Sequence, residues 1–490
     1  MKYRNYEEYT MWRILLVVAV FWMPVSAGLK NLSLSRALQI LDEKNIEIKV
    51  AKYDETMKRY DELAVKGMNW GSATITLQAL RSNDAGNVFG FKLQSREATF
   101  RDFGFSEFMG GLGQAIASTA GMPGGVTFGN FAQVLGNPAM QSALLELAPD
   151  DLNYPKPRNH FVTKITYQVP VYTGRKLTEY QKITHKLYEM SKYDTRKLRN
   201  EKIYEVKKTY YDIALVQQYI ANLLKIRKNM QKLKRTILEM KKEGYTKKTD
   251  VLEIEARVAK VDSMLNQARL NKELAYQFLS FLLDTEVSSI RTPSLNVKAP
   301  RVTRKDVERM SLDILKAKKG LEITRHAIGV QKANFLPTVG AFGEYGSADN
   351  HLWNDFAKKD FYTIGVQVQM NIFNGGSDKA KLERARVEHM KVARQVELAK
   401  KGIWLQVKKI QTEIKSLEFD MRSERKQLNL AREVYRTYEA KYKEGLASIT
   451  DLLIKQSIEL EALLRYLQVA NKHSEKVFEL EKILDLGGRS

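Results

Sequence analysis

Two aspartates at equivalent places in the chain are the residues best suited to a chemical role. Asp250 and Asp451 lie 201 positions apart, and each follows a threonine shortly after a Glu-Gly pair. A carboxylate just beyond a glycine turn can cap the free N–H groups of a new helix. The sequence therefore predicts that a helix begins at each of these aspartates.

The remaining reactive side chains form no catalytic pattern. The six histidines, at positions 160, 185, 326, 351, 389 and 473, give no pair four residues apart and no H-E-x-x-H motif. The chain has no phosphate-binding loop and no nucleophile elbow. It also has no cysteine, which excludes thiolate catalysis, disulfides and Cys-ligated metals. We expect no enzyme activity, no cofactor and no metal site.

An internal repeat places the two aspartates in equivalent elements. At the same shift of 201 positions, residues 169–174 fall on 370–375, and Leu283 falls on Leu484. A register kept over such a distance indicates two copies of one structural unit. Each copy is predicted as a helix, two strands, a very long helix and a returning helix.

The repeat and the N-terminus predict the domain boundaries. A basic start, a short apolar run and small residues up to Ala27 are typical of a secretory signal peptide, with a retained apolar helix as the alternative. The predicted segments are a signal peptide (1–27), a helix (28–69), a strand pair (70–173) with a long loop (82–159), a helical hairpin (174–286), a linker (287–302), a second helix (303–335), a strand pair with a short loop (336–374), a second hairpin (375–486) and a tail (487–490).

The longest helices, 176–242 and 377–443, show the 3.5-residue apolar period of a coiled coil. In the second copy the seam is Ile403, Val407, Ile410, Ile414, Leu417, Met421, Leu428, Ala431, Tyr435, Tyr438 and Tyr442, and in the first it is Ile203, Val206, Tyr210, Ile213, Ile220 and Leu224. Each helix would be about 100 Å long at 1.5 Å per residue. Gly244 and Gly445 follow their ends, as left-handed helix caps do.

Four strands alternate between apolar and polar residues. The clearest, 361–373, has apolar side chains at even positions and polar ones between them. Such strands suit either a small sheet on a helical layer or a membrane barrel. Four strands cannot close a barrel in lipid, so several chains would have to share one. For the glycine- and alanine-rich loop 82–159, we expect disorder rather than a functional structure.

Several short segments together resemble the TolC-like outer membrane efflux protein family over nearly the whole mature chain. They are the opening segment 32–38, the helix-to-strand junction 334–337, the strand-to-helix junctions 170–174 and 372–376, and the tip 442–451. The resemblance implies a mainly α fold with a membrane β-barrel and two structural repeats. Three chains would form a twelve-stranded β-barrel continuous with a twelve-helix periplasmic α-barrel.

The same resemblance implies a function, a location and partners. The protein would be a passive duct of a tripartite efflux or type I secretion system. It would lie in the outer membrane of a Gram-negative bacterium, extend into the periplasm, and contact a periplasmic adaptor and an inner-membrane pump of the RND or ABC type. Drugs, metal ions and unfolded polypeptides all use ducts of this form, and the sequence is compatible with each.

Site residues follow from the family position by position. Asp250, Tyr442 and Asp451 match the periplasmic gate, and Gly244, Tyr245, Gly445 and Leu446 match the tips that contact the adaptor. The family's best-known member has an arginine where Ala447 stands and a second aspartate where Ile454 stands. The closed state is therefore expected to use other contacts, such as Lys247 or Lys248 with Asp250 or Asp451.

Two other classes of protein also fit parts of the sequence. A net charge of +23 and long amphipathic helices suit a soluble basic coiled-coil protein that is structural or binds nucleic acid. A periplasmic adaptor also has helical hairpins, but it would need compact β domains that we do not find. The signal segment and the amphipathic strands favour the outer-membrane duct, which binds lipid and no nucleic acid.

Overall fold

The computed structural model describes residues 28–294, 297–352 and 356–487, so the predicted signal peptide lies outside the described residues. In the first repeat the elements are α1 (Leu34–Lys44), α2 (Ile46–Gly67), β1 (Ser72–Ser82), α3 (Ala85–Gln94), α4 (Phe105–Ser118), α5 (Phe128–Leu135), α6 (Pro138–Leu145), α7 (Asp150–Asn153), β2 (Arg158–Tyr172), α8 (Lys176–Lys242) and α9 (Lys248–Leu283). In the second they are α10 (Arg304–Met310), α11 (Leu312–Ala333), β3 (Thr338–Asp349), β4 (Asp360–Gln369), α12 (Ser377–Lys443) and α13 (Ile449–Ile483). No helix of the described ranges has the length and apolar character needed to cross a membrane.

The chain divides into a helical unit and a sheet unit. Among the described residues, the helical unit comprises those up to Glu62, Lys182–Arg325 and those from Arg386 onward, and the sheet unit comprises Leu63–Gln181 and His326–Ala385. Each repeat contributes one strand pair to the sheet unit and one helical hairpin to the helical unit. The two-repeat fold expected from the sequence is therefore present.

The apolar seams are the core of the helical unit. In the second repeat Val407, Ile410 and Ile414 of α12 are at most 3% exposed and pack with α13 residues such as Val477. In the first repeat the prediction that Leu224 belongs to the buried seam is wrong. It is 41% exposed, whereas its neighbour Leu223 is fully buried against α9 and α13.

The first helix of each repeat, predicted as continuous, is broken. Asn45 separates α1 from α2, and its side-chain amide donates to the carbonyl of Leu282 at 2.8 Å while its Oδ1 accepts from the N–H of Ile48 at 2.9 Å. A buried amide with both bonds satisfied can end one helix and cap the next. Ser311 lies at the corresponding break between α10 and α11.

The sheet is fully antiparallel, in the order β1-β2-β3-β4. One face is apolar and open in the single chain, where Ile75, Ile364, Val366 and Val368 are 65–79% exposed. The opposite face is polar and includes the ion pair between Lys164 and Glu344 at 3.0 Å. The strand predicted for 361–373 ends at Gln369, so its last four residues are not part of the sheet.

The disorder expected for the long loop of the first repeat is wrong. Between β1 and β2 the chain folds into helices α3 to α7. Phe89 and Phe103 pack edge to face with ring centroids 5.4 Å apart, and Val88, Ala115 and Val134 are buried. Asp84, Thr127 and Asn137 cap three of these helices through side-chain oxygens. The small core and the caps together order this segment, which we call the insertion (residues 83–157).

Candidate functional site at the hairpin tips

Both hairpin tips are built by a glycine in the left-handed region. Gly244 and Gly445 each have φ of 77°, a conformation that side-chain-bearing residues adopt at a cost. The next residue closes the turn: the N–H of Tyr245 donates to the carbonyl of Met240, and that of Leu446 to Lys441, both at 2.8 Å. Tyr245 and Leu446 are 78% and 76% exposed. Each tip therefore presents one large apolar side chain to solvent.

The two aspartates lie in the first turn of the returning helices, three residues beyond the caps. Ser448 caps α13, and its hydroxyl donates to Oδ2 of Asp451 at 2.6 Å while accepting from the N–H of Asp451 at 3.0 Å. In α9 the cap is Lys247, whose N–H donates to Oδ2 of Asp250 at 3.0 Å. Lysine has no acceptor, so only half of this reciprocal arrangement exists in the first repeat.

Tyr442 lies close to Asp250, although it comes from the other hairpin. Burial, and then the negative charge of Asp250, raise the pKa of Tyr442 above its usual value of 10.0. The hydroxyl donates to the sulfur of Met240 at 3.9 Å. Two of the three predicted gate residues are thus near enough to interact electrostatically. Asp451 makes its hydrogen bonds locally, with Ser448.

Two contacts between the hairpins are made by residues that the sequence did not identify as site residues. The Thr450 hydroxyl donates to Oε2 of Glu253 at 2.9 Å, and Arg257 donates to the Ser457 hydroxyl at 3.4 Å. Glu253 and Arg257 lie three and seven residues after Asp250, so helical periodicity would have placed all three on one face. Within the described part of the chain, no ion pair joins Lys247 or Lys248 to either aspartate.

Clusters of three or more His, Cys, Asp or Glu side chains able to hold a metal ion do not occur in the ranges that the structure describes. The tip residues are instead capping groups, exposed apolar side chains and charges. Such an arrangement suits contact with another protein and control of ion passage.

Comparison with known proteins gives matches in sequence and in fold. Residues 305–485 match the outer membrane efflux protein family. Three similar solved structures are CusC (12% identity, 94% of each chain, TM-score 0.71), the Campylobacter jejuni CmeC outer membrane channel (13%, 93% of this chain and 86% of that one, 0.69) and the open Neisseria gonorrhoeae MtrE outer membrane channel (14%, 93% and 89%, 0.70). No curated protein sequence matches.

The sequence match lies within the second repeat, and the structural matches extend over both repeats. Residues 305–485 therefore match the outer membrane efflux protein family in sequence, and the whole chain has the fold of the outer membrane channels CusC, CmeC and MtrE.

Proposed function

We propose that three copies of this chain form a passive duct that carries substrates from a pump–adaptor complex across the outer membrane to the exterior. The observation that carries the proposal is the four-stranded sheet with one open apolar face and two free edge strands, β1 and β4. In lipid, unpaired edge N–H and C=O groups cost several kcal/mol each. Pairing β1 of one copy with β4 of the next removes both edges and gives a closed barrel of twelve strands.

The helical hairpins would form the periplasmic part of the duct. Each copy supplies two hairpins, and three copies together supply the helices of a twelve-helix α-barrel. Support comes from α8 and α12, which both span 67 residues and bury an apolar seam along one side. The polar and charged faces of these helices would then line a water-filled interior or face the periplasm.

The tips would dock a periplasmic adaptor, and through it an inner-membrane pump of the RND or ABC type. Exposed Tyr245 and Leu446 next to the glycine turns are suited to packing against a partner's helices. The nearby Asp250, Tyr442 and Asp451 would control the aperture. This arrangement serves either a tripartite efflux system or type I secretion, with no enzyme activity and no cofactor in the chain.

Fractionation of the producing cell tests the duct directly. The proposal requires the protein in the outer membrane, migrating on gels as a trimer that heat converts to monomer. A monomer that stays soluble after export, or a species of the inner membrane, would overturn it and favour a basic coiled-coil protein or an adaptor. Deleting the gene, then measuring drug and metal susceptibility and inspecting secreted proteins, would identify the cargo class.

A further inference from the structure

The insertion is fixed to the polar face of the sheet near the β1–β2 connection. The ring of Phe91 in α3 stacks on His160 of β2 with centroids 4.1 Å apart and planes 7° from parallel. Gln94 hydrogen-bonds the same ring at 2.9 Å. His160 and Val162 alternate with the apolar-face residue Phe161, and both are under 9% exposed. The helix α3 therefore lies over the face that would line the duct.

Ion pairs hold the insertion to both halves of the sheet. Glu97, just after α3, pairs with Arg158 at the start of β2 and with Lys359 just before β4. Lys359 also pairs with Asp349 at the end of β3, at 2.7 Å. Arg96 donates to the backbone carbonyl of Lys358 at 3.1 Å. Directly or through Lys359, these contacts connect the insertion to β2, to β3 and to the residues just before β4. They therefore fix the position of the insertion relative to the sheet.

The outer side of α4 is apolar and has no partner within the described chain. Met109, Gly113 and Ile116 lie on one face at positions i, i+4 and i+7, and Met109 and Ile116 are 49% and 40% exposed. A Cβ added at Gly113 would meet no atom within 4 Å, and its φ is not positive. Glycine inside a helix costs about 1 kcal/mol relative to alanine. Neither the backbone geometry of Gly113 nor its surroundings in the described part of the chain explain that cost.

The charge pattern distinguishes the possible occupants of this face. From Gly104 to Pro149 the sequence has no lysine or arginine, although the chain has 80 of them, and its charged residues are Glu107 and Glu146. Helices that lie on lipid surfaces usually carry cations on the polar side, and an anionic headgroup layer would repel this segment. An exposed glycine also allows close approach of another helix, which a lipid surface does not require. The favoured occupant is a second copy of the insertion.

We infer that the α4 helices of neighbouring copies pack against one another and form a lid across the outer mouth of the duct. The inference rests on the proposed trimer, because only the closed barrel brings the copies together. Each insertion leaves from β1, an edge strand at which neighbouring copies would pair. The anchored helix α3 lies on the lumenal face, and the apolar face of α4 would then meet its equivalents.

Disulfide cross-linking tests the contact, since the chain contains no cysteine of its own. Met109→Cys and Ile116→Cys change exposed side chains, so neither should prevent folding. Gln114→Cys is the matched control, exposed on another side of the same helix. A disulfide needs Cα atoms about 4.4–6.8 Å apart. After mild oxidation of the trimer, we expect the two face variants to give at least about fivefold more linked dimer than the control.

The outcomes separate the lid from the duct. If the unsubstituted chain forms no trimer, the duct and the lid are both wrong. If the trimer forms but neither face variant links more than Gln114→Cys, the lid alone is wrong. A second measurement uses Gly113→Leu, which would separate the packed helices and raise single-channel conductance, with Gln114→Leu as its control. Equal conductance in the two variants would also overturn the lid.

Discussion

At the scale of single residues, Asp451 combines a structural role with a charge. Its carboxylate accepts from the hydroxyl and the N–H of Ser448, and these bonds hold the pKa of Asp451 below its ordinary value of 3.8. The group is therefore ionised throughout the neutral and mildly acidic range. Three such charges around one axis would attract cations and slow anions.

Two substitutions separate the cap from the charge. In Asp451→Asn the amide oxygen still accepts at the helix start, but the negative charge is lost. We expect weaker block of the channel by multivalent cations in planar bilayers. Ser448→Ala keeps the charge and removes the capping hydroxyl, which costs about 1 kcal/mol of helix stability and leaves cation block intact. Unchanged block in Asp451→Asn would remove this residue from the aperture.

A buried histidine predicts how stability depends on pH. His473 is 4% exposed, and burial lowers its pKa below the ordinary 6.5, partly opposed by Glu418 at 3.8 Å. The unfolded chain therefore takes up this proton first, and stability falls as pH drops below about 6.5.

Substitution of His473 tests whether its protonation is what lowers the stability at acidic pH. We expect the thermal unfolding temperature of the trimer to fall less between about pH 7.5 and about pH 5.5 in His473→Gln than in the unsubstituted protein. His351→Gln is the control, because its side chain is 77% exposed. The mechanism fails if His473→Gln keeps the full loss of stability at the lower pH.

For these residues, the positions of the hairpin tips could be predicted from the sequence more fully than the contacts between the two hairpins. Gly244 and Gly445 were predictable because a glycine after a long helix marks a left-handed cap. The proximity of Tyr442 to Asp250 was expected from family resemblance and not from spacing. The Glu253–Thr450 bond depends on how two hairpins pack, and no local pattern in either hairpin specifies that packing.

At the scale of elements, one tyrosine joins α8 to two separate segments. The fully buried Tyr210 donates to the carbonyl of Leu32 at 2.8 Å and lies within hydrogen-bond distance of the carbonyl of Arg291. Tyr210→Phe would leave these buried acceptors without the hydroxyl, at a cost of about 1–3 kcal/mol in denaturant unfolding. Tyr211→Phe is the control. Its hydroxyl makes one longer bond, 3.3 Å to Ser294, and an equal loss in both variants would contradict the argument.

The helices and strands differ in how far local pattern determines them. Alternation predicted all four strands, because a sheet with one open apolar face needs period two in every strand. The insertion was missed because low charge with many glycines is also typical of disorder. Besides its small core and its helix caps, it is held by contacts with the sheet, such as those of Glu97 with Arg158 and Lys359, which lie far away in sequence.

At the scale of the whole molecule, the open sheet face requires an environment that a single soluble chain does not provide. Ile75, Leu77, Ile364, Val366 and Val368 are 65–79% exposed, all on one face. An exposed apolar patch of this kind marks a surface that contacts lipid or protein. In the proposed barrel, lipid would be the contact, and the opposite face would then line the water-filled interior.

Neighbouring residues on β4 test this assignment of faces. Val366 lies on the apolar face and Gln367 on the polar face, one position away. We expect Val366→Lys to destabilise the barrel, by about 2–4 kcal/mol per copy if the residue lies near the bilayer midplane. Gln367→Lys places the same charge in the interior, where it should change ion selectivity and leave assembly intact. Quantifying the heat-sensitive trimer in outer-membrane fractions measures the difference.

Val366→Lys and Gln367→Lys both introduce a lysine into β4, so they differ only in the face of the sheet that receives the charge. A general effect of lysine on strand formation would lower the trimer yield equally. The barrel predicts a large loss for Val366→Lys alone, since only that side chain would have to place an ammonium group in hydrocarbon. Equal yields, or a larger loss for Gln367→Lys, would contradict the assignment of the apolar face to lipid.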